Sequence, residues 1–363
     1  MADKLRIGII GTGGIAGAHA SAYKSFDDVE VVAGADIIPG KARAFLDRFG
    51  WTDAAAYEDT ESLCMRDDID AVSVCTYNTQ HAVCTIAALE SGKHVLCEKP
   101  MCVTLDEGIA MMRAEKKSGK ILTIGFQPRY NNNCRKIKRI VESGELGKVY
   151  YVQIGGSRRR GIPGSTFIDG SKAAFGAIGD LGCYSLDLSL NSIGYPKPLT
   201  VSAYTSDYFG KNPKYYSEAE RFSVDDFSAA FIRLEGDIIL DYRMAWAMHM
   251  DICSDFVILG TDAGLKATAP TPNPLWGSII GGEIAGLYLM HDKCGDPVTT
   301  PLRLENTSGN IFTMKVRDFV DQVKKGGSAP IPTSQIIYNQ AIIDAMVRSA
   351  KEKCEIKIKI PKI

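Results

Sequence analysis

The sequence carries almost no net charge: 42 lysines and arginines stand against 43 aspartates and glutamates, a formal balance of -1 over 363 residues. With no broad field of one sign, neither nucleic acid nor a membrane surface is expected as a partner. Paired cysteines are missing as well. Ten thiols stand singly at 64, 75, 84, 97, 102, 134, 183, 253, 294 and 354, with no C-x-x-C and no Cys/His cluster at metal-ligand spacing. No metal is therefore expected, and the pattern fits reduced thiols in the cytosol. No apolar stretch is long enough to span a bilayer, and Met1-Ala2-Asp3-Lys4 runs into a strand without an apolar segment and cleavage site, so a cytoplasmic location is expected. Internal repeats and low-complexity linkers are also lacking. What is present is an ordinary globular composition, 45% hydrophobic and 23% charged, in a chain long enough for two domains with separate cores.

The first part alternates two periods. Leu5 to Ile10, Val29 to Ala35, Ala71 to Cys75, His94 to Cys97 and Ile121 to Gly125 are short apolar runs that read as strands. Between them, Ile15 to Phe26, Gly40 to Phe49, Gln80 to Glu90 and Leu105 to Ser118 read as helices. Strands alternating with helices predict an α/β fold, here a doubly wound parallel sheet of the Rossmann kind over residues 1–124. From 125 to 363 the runs become longer and successive: Val149 to Gly155, Val201 to Thr205, Phe227 to Leu234, Ile238 to Trp246, Phe256 to Leu259 and Leu287 to His291. They predict an α+β domain with a large, mostly antiparallel open sheet. Glu235-Gly236-Asp237 is a hairpin turn within it. Helices are expected at Asn133 to Ser143, Leu181 to Ile193, Thr313 to Lys324 and Gln335 to Lys351.

Gly11-Thr12-Gly13-Gly14-Ile15-Ala16 follows the first strand and opens the first helix. The first two glycines permit the tight turn and close approach of a pyrophosphate, Ala16 takes the third position, and the helix N-terminus offers unpaired N–H groups to the phosphates. A G-x-G-x-x-A string alone says little. Here an acid follows about 20 residues later, as ribose recognition requires: Asp36, at the end of the second strand, which suits the hydroxyls of NAD and repels the 2′-phosphate of NADP. Lys41 and Arg43 lie close enough in sequence to soften that preference. Thr76, Tyr77 and Asn78 end the third of these strands and flank the cofactor. His81, just inside the next helix, is counted with them, although a lone histidine there is more often packed or capping. Glu98-Lys99-Pro100 ends the following strand in the same crevice, and a Lys-Pro pair can adopt a cis bond.

The glycine turn, Thr76-Tyr77-Asn78, the run Gly92-Lys93-His94-Val95-Leu96-Cys97-Glu98-Lys99-Pro100 and the β-rich second half together resemble the Gfo/Idh/MocA family, the relatives of glucose-fructose oxidoreductase and inositol dehydrogenase. The resemblance implies a Rossmann domain followed by an α/β domain that binds substrate and commonly forms a homo-oligomer through its open sheet. It implies cofactor contacts from Glu98, Lys99 and Gln127, the last within Gly125-Phe126-Gln127-Pro128-Arg129-Tyr130, and places Arg129 near substrate. The family string Asp-x-Gly-x-His-x-x-Asp reads here Asp180-Leu181-Gly182-Cys183-Tyr184-Ser185-Leu186-Asp187. Tyr184 stands where histidine is usual, as in the branch resembling glucose-fructose oxidoreductase and the dimeric dihydrodiol dehydrogenases.

Oxidising an alcohol requires removal of its proton as hydride leaves the same carbon. Free lysine and tyrosine, with pKa values near 10.4 and 10, are poor bases at neutral pH and need shifts of roughly 2 to 3 units. Burial and the positive ring of NAD⁺ push Lys99 and Tyr184 that way. They are expected to act as a coupled acid/base pair, with Asp180 orienting the sugar or Lys99; the plain alternatives are a helix cap for Asp180 and a packing role for Tyr184. In Arg158-Arg159-Arg160, usually a solvated face or an interface, Arg158 is the candidate to enter a pocket. Trp246 and His249 are aromatics for a sugar face, or else core or interface. Asp207 to Asp225, polar and aromatic, is a candidate specificity or oligomer-contact element. The expected activity is hydride transfer between NAD and a secondary hydroxyl of a sugar, polyol or glycoside, plausibly at ring C3. The alternatives are a glycosidase-like enzyme with transient oxidation and a non-catalytic NAD(P)-binding regulator.

Overall fold

The computed structural model describes residues 4–250, 255–269 and 284–362. Cys253 and the first three residues lie outside the described residues. The chain forms two units, one of Met1–Gln127, Gly309–Ile337 and Pro361–Ile363, the other of Pro128–Ser308 and Tyr338–Ile360.

In the first unit, β1 (Leu5–Ile10), α1 (Gly14–Lys24), β2 (Val29–Ala35), α2 (Lys41–Arg48), β3 (Ala55–Tyr57), α3 (Thr60–Cys64), β4 (Ala71–Val74), α4 (His81–Glu90), β5 (His94–Cys97), α5 (Leu105–Ser118) and β6 (Leu122–Ile124) alternate as the apolar periods predict. The strands are all parallel, in the order β3-β2-β1-β4-β5-β6. Helices cover such a sheet on both faces, so β4 and β5 are apolar and buried almost throughout. The order reverses between β1 and β4, which opens the crevice beyond their carboxyl ends where ligands bind in folds of this kind. Strand β3 and helix α3 escape a periodicity reading because three and five residues are too short to show a period. The Asp59 carboxylate, accepting the Ser62 N–H at 2.6 Å, starts α3.

In the second unit, α6 (Asn132–Glu142), β7 (Val149–Ser157), α7 (Gly170–Ala173), α8 (Ala177–Asp180), α9 (Gly182–Ser192), β8 (Pro198–Ser206), β9 (Phe227–Leu234), β10 (Ile238–Ala245), β11 (Phe256–Gly260), β12 (Ala263–Thr268), β13 (Gly286–Lys293), β14 (Asp296–Pro301) and β15 (Ile356–Lys357) follow. The strands form one sheet in the order β14-β13-β12-β11-β7-β10-β9-β8-β15. Its pairings are antiparallel except β7 with β10. Alternation sorts the faces: Ser228, Ala230, Ile232 and Leu234 of β9 point inward, Phe231 and Arg233 outward. Glu235-Gly236-Asp237 joins β9 to β10 as expected, with φ of +83° at Gly236 and +61° at Asp237.

The sequence reading cuts the chain once, after residue 124. In the structure the first unit also claims Gly309–Ile337. There α10 (Ile311–Lys325) brings Val316, Phe319 and Val320 into the core made by Ile7, Ile9, Ala16 and Ala20. The chain then runs beside the edge strand β6, where the Ile331 N–H donates to Thr123 Oγ1 at 3.0 Å, before entering α11 (Thr333–Glu352). Among the described residues no helix is long and apolar enough to cross a membrane.

Candidate active site

The glycine turn shows what each glycine is for. Gly11 has φ of +81°, and a Cβ on it would lie 2.8 Å from the Cys75 carbonyl and the Thr76 nitrogen, so only glycine lets β1 pass this close to β4. Gly13 and Gly14 face open space. Helix α1 begins there with no side-chain cap and no acidic residue in its first turn, leaving its N–H groups and positive dipole end available to an anion. Ile15 turns back onto the core and Ala16 is fully buried beneath it. This cradle fits a dinucleotide pyrophosphate.

At the end of β2 the buried Asp36 carboxylate accepts the Thr12 N–H at 2.9 Å and the Thr12 hydroxyl at 2.8 Å. Lys41 pairs with it at 2.8 Å, and the Ile38 N–H donates to its other oxygen at 3.1 Å. Burial alone raises such a carboxyl; these four donors outweigh it and hold Asp36 below its usual range. Asp36 is thus ionised and fixed at the carboxyl end of β2. Arg43 donates to the Ala54 and Trp51 carbonyls and takes no part.

Beyond β4, Thr76, Tyr77 and Asn78 stand half-buried at the crevice. The Thr76 hydroxyl is buried with no hydrogen-bond partner, as expected of a group that a ligand completes. His81 is a correction to the sequence reading. Its ring is buried between two backbone carbonyls, Nδ1 2.6 Å from Pro100 O and Nε2 3.2 Å from Thr76 O, so it ties the β4 loop to the Lys99-Pro100 loop instead of facing a cofactor. Burial lowers its pKa; the neutral ring can donate to one carbonyl only, and the shorter contact marks Nδ1 as that donor to Pro100, with Nε2 in contact with Thr76 O. The Lys99-Pro100 bond is cis.

Glu98 is a second correction. Its carboxylate does not face the crevice: Oε1 meets His19 Nε2 at 2.8 Å and the Lys315 ammonium from α10, and the residue is 3% exposed. Burial pushes this carboxyl up, but Lys315 and His19 outweigh it and hold it well below the usual range. Burial, then Lys315, lower the His19 pKa. The imidazole is therefore neutral, donating from Nε2 to Glu98 and accepting at Nδ1 from Ser73 at 2.9 Å, while Tyr23 OH donates to Ser73 at 2.7 Å. Every member of this chain is buried and satisfied. Gln127 is buried at the end of the first unit.

In the second unit the segment Gly176–Tyr184 is shaped by packing. A Cβ on Gly176 would collide with the Asp225 carbonyl, on Gly179 with the Phe175 ring, and on Gly182 with the Tyr242 hydroxyl. Gly176 and Gly182 thus let α8 and α9 lie close to Asp225, just before β9, and to Tyr242 of β10, while Gly179 makes room for the ring of Phe175 four residues back. Asp225 caps α8 from across the chain, accepting the Gly176 N–H at 2.7 Å and the Ile178 N–H at 2.8 Å. The backbone stays right-handed through Leu181 (φ -86°, ψ -37°), so Asp180 and Tyr184 share one face, both half-buried. The Trp246 indole donates to Asp180 Oδ2 at 3.1 Å. Trp246 is fully buried, offers no face to a sugar and holds Asp180 through this bond.

Arg158 lies within electrostatic reach of Asp180, which opposes the downward pull of burial on the guanidinium, while Arg159 and Arg160 are exposed. Arg129, expected near substrate, is committed elsewhere: it pairs with Asp187 at 2.7 Å and bonds Tyr195, a strut under α9. In the Asp207 to Asp225 segment, the Arg160 guanidinium lies over the Phe209 and Tyr215 rings, 4.7 and 5.1 Å from their centroids, and 3.1 Å from His249. Sequence reasoning missed His19, Tyr23, Ser73, Lys315 and the bond from Trp246 to Asp180. His19 alone offered a signal, three residues past Ala16. Among the described residues no group of three or more His, Cys, Asp or Glu can hold a metal ion.

Residues 5–126 match the family described as "Oxidoreductase family, NAD-binding Rossmann fold", and residues 134–266 match the GFO/IDH/MocA C-terminal domain. The chain is 31% identical to a D-glucoside 3-dehydrogenase of Escherichia coli (strain K12), over 69% of this chain and 75% of that one. It is 24% identical to a scyllo-inositol 2-dehydrogenase (NADP(+)) of Bacillus subtilis (strain 168), over 97% of this chain and 95% of that one. A solved levoglucosan dehydrogenase in complex with NADH shares the fold at a TM-score of 0.81 and 23% identity, over 99% of this chain and 100% of that one.

Proposed function

Because the chain belongs to the GFO/IDH/MocA family of oxidoreductases and is a sugar or polyol dehydrogenase of the NAD(P)-dependent kind, we propose that its own reaction is hydride transfer between NAD and a secondary hydroxyl of a sugar or glycoside, at ring C3. The observation that carries the reading lies in the first unit: the cradle at Gly11–Gly14, the ionised Asp36 and the Lys99 loop stand at the carboxyl ends of β1, β2 and β5. Bound NAD supplies the hydride acceptor. Asp36 and Thr12 hold the adenosine ribose and favour NAD over NADP, and Thr76, Tyr77 and Asn78 flank the cofactor. Lys99 and Tyr184 exchange the proton of the substrate hydroxyl as a coupled pair, and Asp180, aimed by Trp246, orients the sugar with Arg158. The choice of C3 is supported by the name of the Escherichia coli relative. The outward sheet face with exposed Tyr204 and Phe231 supports a homo-oligomer, and the free cysteines support a cytoplasmic setting.

The test is cofactor fluorescence of the purified protein followed by titration with D-glucose, methyl glucosides, levoglucosan and myo-inositol in the presence of NAD. A glucoside that reduces NAD, giving a 3-keto product, supports the reading. Lys99→Ala and Tyr184→Phe should each lose about a hundred-fold in kcat. No reduction by any of the panel overturns it, and so do two variants that turn over like the parent.

A further inference from the structure

The buried chain from Tyr23 through Ser73, His19 and Glu98 to Lys315 passes, at Glu98, one residue from Lys99, and the assignment of Lys99 as an acid/base group does not account for it. Glu98 divides its two oxygens. Oε1 takes His19 at 2.8 Å and the Lys315 ammonium, while Oε2 accepts the Lys99 backbone N–H at 3.3 Å. The groups that face Glu98 come from five elements: His19 from α1, with Tyr23 behind it through Ser73, Cys75 after β4, His81 of α4, Cys97 of β5, and Lys315 of α10. Burial lowers both histidines and keeps them neutral, and it pushes both thiols up and keeps them neutral. Lys315 is therefore the charge that balances Glu98. The fit is closed sterically as well, since a Cβ on Gly125 would lie 2.9 Å from Glu98 Oε1 and 3.2 Å from Lys315 Nζ.

Stability alone is a poor reason for this pair. A buried ion pair costs about as much in desolvation as it returns, and two apolar side chains would fasten α10 equally well. What the pair does, and an apolar pair does not, is fix a carboxylate beside Lys99 while cancelling its charge. A bare carboxylate there would hold the Lys99 amine in its ammonium form; a paired one leaves it free to lose a proton.

We propose that Lys315 is a positioning residue for Lys99, neutralising Glu98 and, through Glu98 Oε2, fixing the backbone from which the Lys99 amine projects. The proposal rests on the acid/base assignment of Lys99. Its test uses the full chain with Lys315→Met, Glu98→Gln, the two combined, and Lys99→Ala. The activity-free readout is the pH midpoint of Lys99 acetylation by acetic anhydride, followed by peptide mass spectrometry. Lys315→Met moves the midpoint to higher pH, Glu98→Gln moves it to lower pH, and the combination returns it to the parent value. With the fastest sugar of the panel, Lys315→Met loses about ten-fold in kcat at pH 7 while KM and NADH affinity change less than about three-fold, and the combined variant recovers most of the loss. Midpoints that do not move in the folded single variants overturn the proposal, as does a combined variant as impaired as Lys315→Met. Where Lys315→Met fails to fold, Glu98→Gln decides by the direction of its shift. Parent-like turnover by Lys99→Ala sinks the acid/base reading instead, and the acetylation midpoints still judge the network.

Discussion

The two units spend glycine and buried charge in opposite ways. In the first, Gly13 and Gly14 look into open space, and the buried carboxylates of Asp36 and Glu98 each have a lysine against them. In the second, Gly176, Gly179 and Gly182 are pressed against a carbonyl, a ring and a hydroxyl. The adjacent acids Asp225 and Asp226 have no cation partner among the described residues, and Asp226 keeps one oxygen without a hydrogen bond. One unit leaves room for a ligand and neutralises its charge. The other builds its Asp180 segment from close packing and, although Arg129 pairs with its buried Asp187, keeps Asp225 and Asp226 as acids that prefer to be neutral.

The largest test of this contrast exchanges glycines. Gly179→Leu must displace the Phe175 ring and should cost about 3 kcal/mol or more, read as loss of soluble protein or a lower denaturation midpoint. Gly13→Ala has an accessible backbone (φ -79°, ψ -163°) and nothing within 4 Å, so stability should stay within about 1 kcal/mol of the parent. Its cost should appear in NADH affinity, measured by fluorescence. Equal destabilisation by both substitutions would erase the distinction between ligand glycines and packing glycines.

A second test uses acid, because the units respond to it with opposite sign. Burial pushes Asp225 and Asp226 up to about 6 from 3.8, so between these values the folded chain holds protons that the unfolded chain has lost. Their contribution is fully present below pH 3.8, falls as pH rises through about 6, and is level above it; for one fully buried group this is at most about 3 kcal/mol. Glu98 runs the other way, its contribution present above 4.5 and lost as pH falls through its depressed folded value. Lowering pH from 7 to 5 should therefore increase amide protection in β10, after correction for intrinsic rates, and leave β5 unchanged. Asp226→Asn should flatten the response of β10.

A smaller effect is expected at Trp246. Trp246→Phe keeps an aromatic in the core and removes the N–H that donates to Asp180 at 3.1 Å. It should cost about 1 to 2 kcal/mol in stability and about ten-fold in kcat, with NADH affinity unchanged. A loss of NADH affinity instead would mean that the tryptophan does not act through Asp180.

The same contrast explains what was legible in the sequence. Leu5–Ile10, Val29–Ala35, His94–Cys97 and Leu105–Ser118 read with their observed bounds because each is one apolar period closed by turn residues. Gly11 and Asp36 read from spacing because strand ends and helix starts meet in chain order. Glu98 did not: its partner lies 217 residues away, and no local pattern distinguishes a carboxylate facing a crevice from one facing a lysine. In the second unit Asp180 and Tyr184 were reached only through the family string. The spacing of Gly176, Gly179 and Gly182 was visible, but no period states that Asp225 and Tyr242 lie opposite the first and the last of them. Arg129 was misplaced for the same reason, its partner Asp187 being 58 residues on.

The smallest expected effect lies at the rim of the first unit, where charge is neutralised in reach of solvent. The Lys41 side chain is 39% exposed, yet its ammonium stands 2.8 Å from the Asp36 carboxylate, the group proposed above to discriminate against a 2′-phosphate. Arg43 is held by the Ala54 and Trp51 carbonyls, which leaves Lys41 as the cation paired with that carboxylate among the described residues. An exposed ion pair adds at most about 1 kcal/mol to stability, so Lys41→Ala should hardly change the denaturation midpoint. For a cofactor the sum differs. Without Lys41 the Asp36 charge is uncompensated, which a ribose diol tolerates and a phosphate dianion does not. Lys41→Ala should therefore weaken NADPH binding about three- to ten-fold while NADH affinity stays within about two-fold, a gap near 1 kcal/mol. If the two cofactors lose affinity equally, Lys41 serves only to hold Asp36 in place, and the rim of the first unit follows the same packing logic as the second.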